Sequence, residues 1–214
     1  MKKRLSKMLL SLLILITLNS CIGLSMDIQM LKNGSGRINL EYRISQMLES
    51  IGKLDGNENF PIVPVGRADW ERSISRIPGI SLVSFSSSQR LSDLIVNVTL
   101  EYTDVQALLN FLDPAEERMS YSPGKININL FQPGLEISSD LLEFAQMVSV
   151  GYKFSFSFSA EGNSVLAITD GTGKEIPTPL STEVTQSGKK VSMSMDIMDI
   201  FTQQEGLGVS VSWQ

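Results

Sequence analysis

Side chains able to do chemistry are scarce in this chain of 214 residues: one cysteine, Cys21, and no histidine. Their absence excludes Ser-His-Asp and Cys-His nucleophilic sites, histidine general bases, zinc held by His or Cys, and internal disulfides. Carboxylates, lysine and tyrosine are what is left. For a carboxylate-based hydrolase, Glu116, Glu117 and Asp140 can be nominated only arbitrarily. We therefore expect no enzyme, no catalytic residue, no metal and no cofactor.

Three short motifs come near to known chemistry and then depart from it. Asp170-Gly171-Thr172-Gly173-Lys174 ends like a phosphate-binding loop, but Ile168 stands where the first glycine belongs and Glu175 replaces the magnesium-holding hydroxyl. An acidic, Gly-rich turn between strands is the expectation. Asp55-Gly56-Asn57-Glu58-Asn59 places oxygen ligands as a calcium loop begins, yet Phe60 occupies the sharp-turn position and Gly66 the place of the bidentate glutamate. Ser122-Pro123-Gly124-Lys125 has the Ser–Lys spacing of an acyl-transfer site. That chemistry needs both residues one turn apart on a helix, and Pro-Gly favours a turn instead.

Cys21 is different, because of what precedes it. Lys2, Lys3, Arg4 and Lys7 form a cationic start without acids, and Leu9–Leu18 is aliphatic apart from Ser11 and Thr17. This is the pattern of a secretory signal, with an apolar run too short for a permanent span. The run closes in Leu18-Asn19-Ser20-Cys21, which resembles the lipobox of bacterial lipoproteins. The resemblance implies cleavage between Ser20 and Cys21 and a diacylglycerol on the Cys21 thiol. Buried methylenes contribute roughly 0.8 kcal/mol each, so two or three acyl chains hold a protein stably at a bilayer. Residues 1–20 are thus expected to be a signal peptide, 21–25 a lipidated tether, and 26–214 a single extracytoplasmic domain. Ile22 follows the cysteine, and under enteric-type sorting that favours the outer membrane over the cell membrane.

Four of the eighteen basic residues lie in the signal, which leaves fourteen against twenty-three acidic ones, a formal charge of −9. Such a body gains nothing from counterion release on phosphate backbones, so no nucleic-acid partner is expected.

The elements that would position any site are legible from periodicity. Met26, Ile28 and Met30 alternate with polar residues, Asn33-Gly34-Ser35-Gly36 supplies turn chemistry, and Ile38, Leu40 and Tyr42 alternate again. That is a β-hairpin. Ile44, Met47, Leu48 and Ile51 switch to helical spacing. Val96–Tyr102 reads as a strand leading through Thr103, as N-cap, into a helix bearing Val105, Leu108, Leu109 and Leu112 and ending at Asp113-Pro114. A strand at Lys125–Phe131, a helix near Ser139–Val148, and a strand at Val191–Met195 before a helical turn to Phe201 follow the same grammar. In Phe154–Ser159 each phenylalanine points one way and each serine the other, and Val209, Val211 and Trp213 repeat that division against Ser210 and Ser212. The predicted class is α+β: antiparallel sheet with one apolar face covered by short amphipathic helices.

Phe154, Phe156, Phe158, Met193 and Met195 fall on inward strand positions. Thioethers beside phenyl rings can line an adaptable apolar cavity, so these five are the candidate lining of a lipid-accepting groove, against the plainer reading of a filled core. The hairpin at Met26–Ile44 and the closing Val209–Trp213 strand resemble the LppM-like lipoproteins. That likeness implies an α+β soluble part with suggestions of lipid binding and transfers no catalytic residue. The function expected is that of a non-enzymatic envelope lipoprotein that binds a lipid-like ligand or has a structural role. The alternative is an interaction lipoprotein whose partner is another envelope protein.

Overall fold

The computed structural model describes residues 23–45, 64–90, 93–115, 118–131, 153–179, 181–203 and 205–214. The alternating residues at the start form the expected hairpin. Strand β1 (Gly23–Met30) pairs antiparallel with β2 (Gly36–Ser45), setting Ile28 opposite Ile38 and Met26 opposite Leu40. Between them the Leu31 N–H donates to the Ser35 carbonyl at 2.8 Å, and Asn33 Oδ1 accepts from the Ser35 N–H at 3.2 Å. Gly34 takes the left-handed conformation this turn requires, at φ 81°.

Two sequence expectations change here. The tether was set at 21–25, yet Gly23, Leu24 and Ser25 already belong to β1. They are paired with Lys153–Ser155 on one side, and Leu24 and Ser25 with Tyr42 and Glu41 on the other. A strand flanked on both sides extends as far as both neighbours offer backbone partners. Likewise Ile44 continues β2, opposite Leu94. Its helical partners Met47, Leu48 and Ile51 lie outside the described residues, as do Asp55–Phe60 and the helix expected near 139–148.

β1 sits near the middle of a seven-stranded sheet with β3 (Ile80–Arg90), β4 (Asp93–Tyr102), β7 (Lys153–Ser159), β9 (Glu183–Ser187) and β10 (Lys190–Asp196), in the order β3-β4-β2-β1-β7-β10-β9. All neighbours are antiparallel except β1 and β7, which run parallel. The register lines up one apolar row across the sheet: Val98, Leu40, Met26, Phe156, Met193 and Val184. In β1, β2, β7 and β10 every second residue joins such rows, and the residues between present Ser, Asn and charged groups on the other face.

A second sheet of four strands, in the order β5-β6-β11-β8, comprises β5 (Met119–Ser122), β6 (Lys125–Phe131), β8 (Ser164–Thr169) and β11 (Leu207–Trp213). It lies over the apolar face of β1, β7 and β10, where Trp213 meets Phe158 with ring centroids 5.0 Å apart. The helices cover the other half of that face. Helix α1 (Arg67–Ile74) buries Trp70 against Tyr42, and α2 (Val105–Leu112) adds Leu108 and Phe111. The short helix α3 (Ile197–Thr202) follows β10 directly, as the sequence suggested. The body is therefore α+β with mostly antiparallel sheets, and sheet as well as helix covers the apolar face. The cap of α2 is Asp104 instead of Thr103. Its carboxylate accepts from the Ala107 N–H at 2.9 Å, while the Thr103 backbone N–H donates to the Gly79 carbonyl and its hydroxyl to Asp104 at 3.0 Å. Ser210, expected to be wet, is buried, because β11 is flanked by β6 and β8.

Candidate functional site

Where the two sheets meet near the start of β1, they leave an apolar cleft of about 180 Å³. β1 supplies Leu24 and Met26, β7 supplies Phe154 and Phe156, and the second sheet supplies Met119, Ile128, Leu130 and Val209. Each reaches the cleft by strand alternation, the cross-strand pairs Leu24–Phe154 and Met26–Phe156 forming one wall. Asp113, buried at the end of α2, fixes the entry to β5. One of its carboxylate oxygens accepts from the Arg118 N–H at 2.7 Å and from the Met119 N–H at 2.8 Å. Both residues then line the cleft.

Of the five apolar residues proposed from sequence, Phe154 and Phe156 line this cleft; Phe158, Met193 and Met195 do not. Those three are sealed in the core, Phe158 beneath Trp213 and the methionines beside Phe156 and Phe154 on the neighbouring strand. Ser20 and Cys21, and the acids Glu116, Glu117 and Asp140, lie outside the described residues.

Polar groups elsewhere are engaged in structure. On the outer face of the large sheet, Asp27 receives Lys190 at 2.9 Å, Gln29 at 3.0 Å and Asn39 at 3.4 Å, and Asn39 accepts from Thr99 at 3.1 Å. Partial burial pushes the Asp27 carboxyl up. The hydrogen bonds from Gln29 and Lys190, the lysine charge and Asn39 outweigh this and hold it below the usual range. Asp170 folds its own loop. One oxygen accepts from the Thr172 hydroxyl at 2.6 Å, the Thr172 N–H at 2.8 Å and the Lys174 N–H at 3.0 Å, and the Thr172 bond leads in lowering its pKa. Loop amides spent on a carboxylate cannot cradle a phosphate, so the acidic turn read from sequence stands. Ser122 and Lys125 face each other across the β5–β6 hairpin and not along a helix. Among the described residues no group of three or more acids and other metal-binding side chains comes together, and no helix is long and apolar enough to cross a membrane.

Sequence reasoning missed the opposite wall of the cleft. Ile128 and Val209 were visible as inward strand residues, but alternation of period two says which face a residue occupies and not which sheet it will meet. Comparison with protein-family models and with curated proteins finds no match to this chain.

Proposed function

We propose that the chain is a bacterial lipoprotein of LppM-like build. In this reading it is exported, cut before Cys21 and held extracytoplasmically at the cell or outer membrane by lipid on that cysteine. Its folded body is a non-enzymatic binding or structural module, and the inter-sheet cleft accommodates an aliphatic segment of a lipid-like ligand. The observation that carries the reading is the coincidence of two things: an apolar cleft walled by Leu24, Met26, Phe154 and Phe156, and its place at the end of the strand that begins two residues after Cys21. At about the 30 Å³ that a small molecule such as water occupies in the liquid, the cleft admits a handful of methylene-sized groups. Whole drug-sized ligands use roughly 300–1,000 Å³, so the fit is to part of a chain.

Two measurements test this. Protein from its native cell is expected in the detergent phase on phase partitioning, carrying fatty acid, with Cys21→Ala in the aqueous phase; partition of the unaltered chain into water would refute the anchor. A fluorescent fatty acid is expected to bind saturably, about tenfold more weakly to Leu24→Asp. A wild-type chain that does not take up the probe has no aliphatic site. The second reading, an interaction module for another envelope protein, draws on β3. This eleven-residue strand ends the large sheet, and its Ser86–Arg90 stretch is exposed, an edge open to an added strand.

A further inference from the structure

A larger groove lies at the other end of β1. It holds about 610 Å³, within the range of small-ligand sites. The β1–β2 turn forms one wall with Leu31, 55% exposed, and Lys32. The first turn of α2 contributes Asp104 and Gln106, and the β7–β8 turn contributes Glu161. Two aromatic residues from the second sheet complete it: Tyr121, 42% exposed, and Trp213.

We propose that this groove binds a pyranose oligosaccharide. A sugar asks one surface for two things, flat apolar area against its C–H faces and interleaved donors and acceptors for its hydroxyls. Aromatic rings supply the first and fixed polar side chains the second. Both are present. Trp213 is packed on Phe158, their ring planes inclined at 36°. Lys32 and Glu161 form an exposed ion pair at 3.1 Å, the Ala107 N–H and Thr103 hydroxyl fix Asp104, and Gln106 donates to Asn110 at 2.8 Å. None is saturated: the carboxylates keep lone pairs, the ammonium keeps N–H groups, and the Gln106 carbonyl is available. Asp104 and Trp213, already held by their neighbours, cost a ligand little conformational entropy.

Other chemistries fit the same walls less well. An acyl chain would desolvate these polar side chains and give them nothing back. A phosphate-bearing ligand would meet two carboxylates and a single ammonium. The Asp104 carboxylate also already satisfies the N-terminus of α2, so that end offers no anion site. An extended peptide lying along β5 is the rival, and the experiment separates it. The assignment does not depend on the lipid anchor or on the cleft, which is lined by different residues.

Full-length protein, extracted in a detergent that contains no sugar, is titrated with chitotriose, maltotriose and cellotriose while tryptophan fluorescence is followed. Trp70 is buried under α1, so the response reports Trp213. At least one sugar is expected to give a saturable change. Its affinity should fall about tenfold in Tyr121→Ala and in Glu161→Gln, and stay unaltered in Val165→Ala, an exposed site outside the groove. Thermal unfolding of all three variants should match the parent. The assignment is overturned by the absence of a saturable response to every sugar at millimolar concentration, or by a Tyr121→Ala variant that binds as well as the parent. It is equally overturned if the peptide acetyl-Lys-Trp-Lys-amide binds more tightly than each sugar and displaces it.

Discussion

A single missing side chain organises the hairpin end of the large sheet's middle strands. Gly36 pairs with Met30 and Tyr102, and the tyrosine hydroxyl reaches across it to donate to the Gln29 carbonyl at 2.9 Å. A Cβ at position 36 would sit 1.8 Å from that carbonyl oxygen and 2.5 Å from the phenol oxygen. Gly36→Ala must displace both, and we expect a loss of more than about 2 kcal/mol in urea unfolding. Tyr102→Phe keeps the ring over the glycine and removes one bond, for about 1 kcal/mol. A larger effect for Tyr102→Phe than for Gly36→Ala would contradict this arrangement. Burial of that phenol drives its pKa well above the usual tyrosine range, so it stays a donor throughout the stable pH range.

Asp27 gives the pH dependence a definite sign. Its folded pKa lies below the unfolded value near 3.8, so its contribution is complete above that value and disappears as pH falls through the lowered one. The group is partly exposed and its lysine partner half exposed, so screening limits the contribution to about 0.5–1 kcal/mol. Asp27→Asn should therefore be less stable than the parent at neutral pH, and the gap should close below pH 3.8. Urea titrations at several pH values measure it, and a gap that widens in acid would reverse the argument.

Among the elements, β1 carries the most consequence. Deleting Gly23–Ser25 would be harmless if they were tether. As strand residues paired on both sides, their loss should lower the melting temperature by several degrees, since about 1 kcal/mol shifts a domain of this size by roughly 2–4 °C. Much of this architecture was legible in the residues. The Phe-Ser alternation of β7, the Asn-Gly turn and the Ile-Asn alternation of β6 each state a period and a face. What could not be read was set at long range. Leu24 looked like tether until β7, some 130 positions later, paired with it. Phe158, Met193 and Met195 looked no different from Phe154 and Phe156. Only the placement of the second sheet seals three and leaves two at a cleft. Thr103 and Asp104 are both good caps, and the hydrogen bond from Thr103 N–H to Gly79 decides between them.

For the molecule as a whole, one buried cluster runs from Trp70 under the helices to Val209 and Val211 in the second sheet. The two covering layers should therefore unfold together. With Trp70→Phe leaving Trp213 as reporter, and Trp213→Phe leaving Trp70, urea transitions are expected to coincide for each variant with its own circular-dichroism transition. A reporter that moved well before the backbone signal would mean that its layer melts independently. The inter-sheet cleft and the groove lie toward opposite ends of β1 and share no lining residue, so occupation of one leaves the other accessible.

The way the chain enters the sheet also decides how it withstands being pulled. Tension applied from Gly23 along the axis of β1 meets an interior strand whose hydrogen bonds to β2 and β7 lie across that axis. The bonds are strained side by side in shear and must give way as a group. At the hairpin end of an edge strand they would instead peel apart one after another. Under the proposed anchor at Cys21 any load would therefore be met in shear, and force spectroscopy through residue 21 should register a single high rupture peak.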